Sequence, residues 1–212
     1  MAQVTTGIRG ILSHSLAYEF FRDMLGGRRA FRHFVDAYIR PFPGMRILDL
    51  GCGPASLLDH LPESVAYLGV DINEKYVISA RQKYGSRASF QCSAMEDAAT
   101  EALRDFDLVL GMGFLHHLDQ EPAERFFALA ARALKPGGRC LTVDSCLVPG
   151  QHPVARLLIA LDRGRNPRTA EGFTALARTA FPVVEHSIRH DLLRLPYTHI
   201  IMECRQPEQG GR

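Results

Sequence analysis

The stretch Arg46-Ile47-Leu48-Asp49-Leu50-Gly51-Cys52-Gly53-Pro54-Ala55 constrains this 212-residue chain more than any other. It opens as an apolar run of strand length and stops at two glycines one residue apart. Leu57, Leu58 and Leu61 follow at helical spacing, so the local reading is strand, tight turn, helix. The glycines let the backbone turn sharply and approach a ligand closely, and the helix start behind them offers unpaired N–H groups.

A Gly-x-Gly turn needs its surroundings to decide what it holds. The nicotinamide fingerprint carries a third glycine where this chain has Ser56. Asp49 stands at the mouth of the turn, where a carboxylate repels a pyrophosphate and attracts a ligand bearing ammonium and sulfonium charge. That pattern favours S-adenosylmethionine (SAM) over NAD. A second apolar run, Tyr67-Leu68-Gly69-Val70-Asp71-Ile72, puts Asp71 twenty residues after Gly51. An acid at the end of the second strand of a nucleotide-binding fold accepts from both ribose hydroxyls. Either acid alone also suits a helix cap or a solvated loop end, the lesser reading; together, at this spacing, they point to the cofactor.

On these motifs the chain resembles the class I SAM-dependent methyltransferases of the small-molecule type. Asp49-Leu50-Gly51-Cys52-Gly53 is similar to the family's first motif, and Asp71 to its ribose acid. Phe106-Asp107-Leu108-Val109-Leu110 through Leu115-His116-His117-Leu118 is similar to its fourth-strand motif, and Leu134-Lys135-Pro136-Gly137-Gly138-Arg139 to its post-helix turn. The resemblance spans about Arg46 to Asp144. It implies a cofactor site built from Asp49, Gly51, Cys52, Gly53, Asp71, Ile72, Ser93, Ala94, Met95, Gly111 and Met112. Ser93 stands where the family often has an acid against the adenine. The resemblance also places His116 toward the pocket.

Composition bounds the remaining classes. Apolar content of 46% and charged content of 23% suit a soluble globular protein. A net charge of +2 gives no broad footprint for nucleic acid, and no apolar run has the length of a membrane span. The five cysteines are odd in number and form no CxxC pair. They read as small hydrophobes in a reducing compartment, and the cytoplasm is expected. No cluster of metal-ligand type stands out, so no metal is expected.

The chain is expected to be one domain, residues 1–212. A helical cover spans 1–45, with helices over His14–Leu25 and through Phe31, Phe34, Val35, Tyr38 and Ile39. The cofactor-binding core is 46–144, a substrate-side insert occupies 145–180, and a strand pair lies in 181–205. Alternating strands and helices predict a Rossmann-like, doubly wound α/β fold. It has a mainly parallel seven-stranded sheet with the last strand antiparallel and helices on both faces. Asn73 and Gly85 bound one helix. Another, over Pro122–Leu134, is stopped by Lys135-Pro136-Gly137-Gly138 before a fifth strand, Arg139–Asp144. In the insert, Val154, Leu157, Leu158 and Leu161 share one helical face.

The reaction such a domain implies is methyl transfer by direct displacement to a small-molecule acceptor, with oxygen preferred. His116 is the candidate base and His199 a second. Tyr18, His117 and Tyr197 are candidates for acceptor contact, with His117 also suited to a structural role. Arg163, Arg165 and Arg168 read either as a solvated loop or as a clamp on an anionic acceptor. Two alternatives stay open: a methyltransferase for RNA or protein, which the near-neutral charge disfavours, and a non-catalytic SAM-binding module. The sequence leaves the oligomeric state open.

Overall fold

The computed structural model describes residues 32–95, 103–161, 166–193 and 195–207. The expected helix over His14–Leu25, and with it Tyr18, lies outside the described residues, as do Arg163 and Arg165. Strands β1 (Arg46–Leu50), β2 (Ala66–Asp71), β3 (Ser89–Cys92), β4 (Phe106–Met112) and β5 (Leu134–Leu147) are parallel, in the order β3-β2-β1-β4-β5. The two-residue β6 (Arg168–Thr169) pairs with the end of β5. β7 (Val183–Arg189) and β8 (His199–Arg205) complete the sheet, β8 running antiparallel between β5 and β7. His199 therefore opens an interior strand, not the edge strand that the end of the chain suggests. β7 is the edge.

Helix α1 (Glu74–Tyr84) starts where the Asn73 side chain accepts from the Lys75 N–H and ends at Gly85, as the residue types require. Helix α2 (Gln120–Ala133) buries Phe126, Phe127, Ala130 and Ala133. Leu134 leaves that helix and opens β5. The Lys135–Gly138 turn is thus an irregularity inside a longer strand rather than a stop before one: Phe106 pairs with Leu134, and Leu108 already with Arg139. Gly137 has φ +76°, and a side chain on Gly138 would press on the Phe106 carbonyl at 2.9 Å. Glycine is needed at both positions. Lys135 and Asp107 pair across this turn, and Asp107 also accepts from the Arg46 N–H at 2.8 Å, joining three strands.

Alternation along β1 divides the interior. Leu48 and Leu50 join a cluster with Phe126, Phe127, Phe173 and Phe181. Ile47 joins another with Phe34, Ile39, Leu57, Val77 and Tyr67. Residues 35–39 before β1 form a short π-helical turn that buries Val35 and Ile39 and ends at Arg40 in the left-handed region. The Arg139 guanidinium donates to the Tyr38 and Ile39 carbonyls, both at 2.6 Å, which docks that turn on β5. After Gly53 the expected helical segment is a single 3-10 stretch, Ser56–His60.

Helix α3 (Pro153–Leu161) reverses the face expected of it. Ala155 and Ile159 are buried, while Val154, Leu157 and Leu161 are 42, 57 and 55% exposed. Both faces of this helix are apolar, so hydrophobic spacing does not select between them. Helix α4 (Ala170–Arg178), capped by the Thr169 side chain, buries Phe173, Leu176 and Ala177 as its periodicity predicts. Among the cysteines, Cys140, Cys146 and Cys204 are buried, Cys52 is half-buried and Cys92 is exposed. No described helix is long and apolar enough to cross a membrane.

Candidate functional site

The strand order reverses between β1 and β4, and the carboxyl ends of β2, β1, β4 and β5 lie side by side there. On open α/β sheets this crevice is where ligands bind. Asp71 closes the glycine turn from the next strand: one carboxylate oxygen accepts from the Gly53 N–H at 2.8 Å, the other from the Asn73 N–H at 2.7 Å. Burial pushes its carboxyl up, against the pull of those two N–H groups. Each oxygen keeps a lone-pair direction for a further donor.

The two glycines do different work. Gly51 has φ +75°, and a side chain there would meet the Phe114 ring at 2.7 Å, so the fold itself requires glycine. Gly53 has φ +55° and open space where its side chain would be, leaving room for a ligand. Gly69 likewise makes way for the Cys52 sulfur, and Gly111 is buried and makes way for Phe126. Burial, reinforced by Asp49 and Asp71, pushes the Cys52 thiol up, which keeps it protonated. Ile72 is 55% exposed beyond Asp71, and Met112 is half-buried at the end of β4. Ala94 and Met95 follow β3, both half-buried.

Among the described residues of β1 and of the β3 end, two buried polar atoms lack partners. Asp49 is 3% exposed; its Oδ2 accepts from the Tyr67 hydroxyl at 2.5 Å, and its Oδ1 has no partner. Burial pushes its carboxyl up to about 7, the Tyr67 bond working against that and Asp71 adding to it. The Ser93 hydroxyl is also buried and unpartnered. Orphaned buried polar groups are costly unless a ligand completes them. A carboxylate oxygen, a hydroxyl and an open glycine turn fit a cationic nucleoside.

One strand further along, His116 sits in a 3-10 turn, Leu115–His117, just beyond β4. It is 5% exposed, and its Nδ1 lies 2.7 Å from Asp144 Oδ1 near the end of β5. The His116 backbone N–H donates to the same oxygen at 3.1 Å. Asp144 is 1% exposed, and burial pushes its carboxyl up against the bonds from His116. With Asp144 ionised, Nδ1 must carry the imidazole proton, which leaves the lone pair on Nε2. The His117 ring lies against that of His116, their centroids 4.1 Å apart. Sequence reasoning did not single out Asp144. The signal available was one acid in the otherwise apolar-to-small run Cys140–Leu147.

Arg168 does not point its charge at open space. Its guanidinium donates to the carbonyls of Leu115 at 2.9 Å, Leu118 at 2.8 Å and Asn166 at 3.4 Å. The Asn166 N–H donates to the His116 carbonyl. The end of the insert thus holds the turn that carries His116. Arg168→Ala is expected to remove charge-assisted bonds of about 1.5–3 kcal/mol each. It should lower melting temperature and kcat together, with little change in the acceptor's KM; a raised KM alone would restore the anion-clamp reading.

Residues 47–138 match a family model described as a methyltransferase domain. By that match, residues 47–138 are a methyltransferase domain. A ubiquinone biosynthesis O-methyltransferase of Idiomarina loihiensis is 32% identical over 110 residues, covering 50% of this chain and 44% of that protein. A phosphoethanolamine N-methyltransferase of Triticum aestivum is 26% identical, covering 82% of this chain and 34% of that one. The chain spans less than half the length of these curated relatives. A TehB-like SAM-dependent methyltransferase from Corynebacterium glutamicum has the same fold, with TM-score 0.64 at 19% identity, covering 92% of this chain and 99% of that one.

Around the methyltransferase core, a cavity of about 500 Å³ opens between the β5–α3 loop and the β7–β8 loop. Val148, His152, Ala155, His190, Leu195 and Tyr197 are among its lining residues. His199 stands beside it, paired with Ser145 on β5, its ring 4.8 Å from that of Tyr197. Among the described residues no group of three or more His, Cys, Asp or Glu is arranged to hold a metal ion.

Proposed function

We propose that the chain transfers a methyl group from SAM to an oxygen of a small-molecule acceptor, with His116 as general base. The observation that carries this reading is the buried His116–Asp144 pair at the strand ends beside the cofactor crevice. SAM supplies a methyl group on a sulfonium, already activated for direct displacement. Asp49, Asp71, Ser93 and the open turn at Gly53 are the residues that would hold it. His116 would take the hydroxyl proton on Nε2, and Asp144, already bonded to Nδ1, would stabilise the imidazolium. Burial of both groups keeps water from competing for the base.

The cavity beside Tyr197 supports a small acceptor, because about 500 Å³ falls in the usual range for small-molecule sites. Its described lining mixes apolar side chains with two histidines and holds no Asp, Glu, Lys or Arg. That chemistry favours a neutral aromatic or phenolic acceptor over an ammonium compound. Incubation with methyl-labelled SAM and a panel of phenols, alcohols and amines is expected to label phenolic oxygen. Labelling confined to amines would overturn the oxygen reading. SAM binding without transfer to any acceptor would favour a non-catalytic module.

A further inference from the structure

Tyr67 belongs to none of the roles above. It lies on β2 four residues before Asp71, is 4% exposed, and sits in the apolar cluster between the sheet, α1 and the N-terminal turn. Its hydroxyl donates to Asp49 Oδ2 at 2.5 Å. Asp49 pairs in register with Gly69, so Tyr67 reaches it diagonally from the neighbouring strand on the same face. Gly69 has no side chain to stand between them.

We propose that Tyr67 is a positioning residue of the cofactor site, its hydroxyl fixing one oxygen of Asp49 so that the other serves the positive charge of SAM. The proposal rests on the assignment of SAM to this crevice. A carboxylate buried this deeply, with Oδ1 unpartnered, loses its charge unless a donor holds it. Among the described residues, the titratable groups that face the pair are acidic or neutral: Asp71 from β2, the Cys52 thiol from the turn, and Tyr84 from α1 against Tyr67. Burial first, then Asp49, pushes the Tyr67 hydroxyl well above its ordinary value, so it remains a donor throughout the working pH range.

The sign of the pH dependence follows. A raised Asp49 carboxyl is protonated below about 7 in the free protein. A cationic ligand prefers the ionised form, so binding should release a proton and weaken as pH falls through that value. Removing the Tyr67 donor raises the Asp49 carboxyl further, and the weakening should begin at higher pH.

Calorimetric titration of SAM into parent, Tyr67→Phe and Asp49→Asn proteins between pH 6 and 9 tests this. Parent and Tyr67→Phe are expected to agree at pH 9. At pH 7 the Phe variant should bind roughly fivefold more weakly, rising to roughly tenfold at pH 6, the effect of about one unit in the Asp49 carboxyl. Asp49→Asn should be weak and flat across the range. The carboxyl carbon resonance of Asp49, followed by NMR in the free protein, should titrate at higher pH in Tyr67→Phe. Parallel profiles for parent and Tyr67→Phe, with an unshifted Asp49 resonance, would overturn the proposal. A parent that binds no SAM at any pH would instead overturn the cofactor assignment on which it rests.

Discussion

Replacing His116 by alanine is expected to lower kcat by about 10²–10⁴-fold, the range for loss of a general base, while leaving SAM affinity nearly unchanged. The separation follows from position: His116 lies beyond β4 against Asp144, whereas Asp49 and Asp71 lie on β1 and β2. Asp144→Asn is expected to fall between His116→Ala and the parent. The amide no longer stabilises an imidazolium, and its NH₂ group favours the tautomer with the lone pair on Nδ1. Rapid-quench turnover with labelled SAM, alongside calorimetry for cofactor binding, measures both effects. An unchanged rate in His116→Ala would move the base to His199 or point to an acceptor that needs none.

Asp71→Ala is expected to weaken SAM binding by about 10²–10⁴-fold. Two hydrogen bonds from ribose hydroxyls to a carboxylate contribute on the order of 1.5–3 kcal/mol each. The variant also leaves the N–H groups of Gly53 and Asn73 without their acceptor, so the glycine turn and the start of α1 should loosen. A melting curve separates that loss from the loss of ligand contacts, because Asp71→Asn retains one acceptor oxygen for the turn. Parent-like affinity in Asp71→Ala would show that the ribose lies elsewhere.

Much of the fold was legible because its requirements are local. A strand that stops at two glycines, an asparagine before a helix and a glycine after it each answer a need of the adjoining backbone. Those needs are written in the residue types at that point. The positions of Asp49 and Asp71 near strand ends were legible for the same reason, since Asp49 interrupts an apolar run just before the glycine turn and Asp71 closes one. Local signals misled where several solutions satisfied them. Helix α3 carries apolar residues on both faces, and packing chose Ala155 and Ile159 over Val154, Leu157 and Leu161. The Lys135–Gly138 turn looked like a full stop, yet the sheet continues past it because Leu134 still pairs with Phe106.

The sequence by itself determined the turn, the order of strands and helices, the acids at the strand ends and the cofactor class they suit. Tertiary structure alone decided that Asp144 meets His116, that Tyr67 meets Asp49, and that Arg168 spends its donors on the carbonyls of Leu115, Leu118 and Asn166. Apart from the local Arg168–Asn166 bond, each of these contacts joins residues far apart along the chain or on neighbouring strands. Such contacts depend on strand order and register, which fix the few ångströms that separate a hydrogen bond from none. Hydrophobic period and residue type specify which face a side chain occupies, but not which partner the adjacent strand brings to that face.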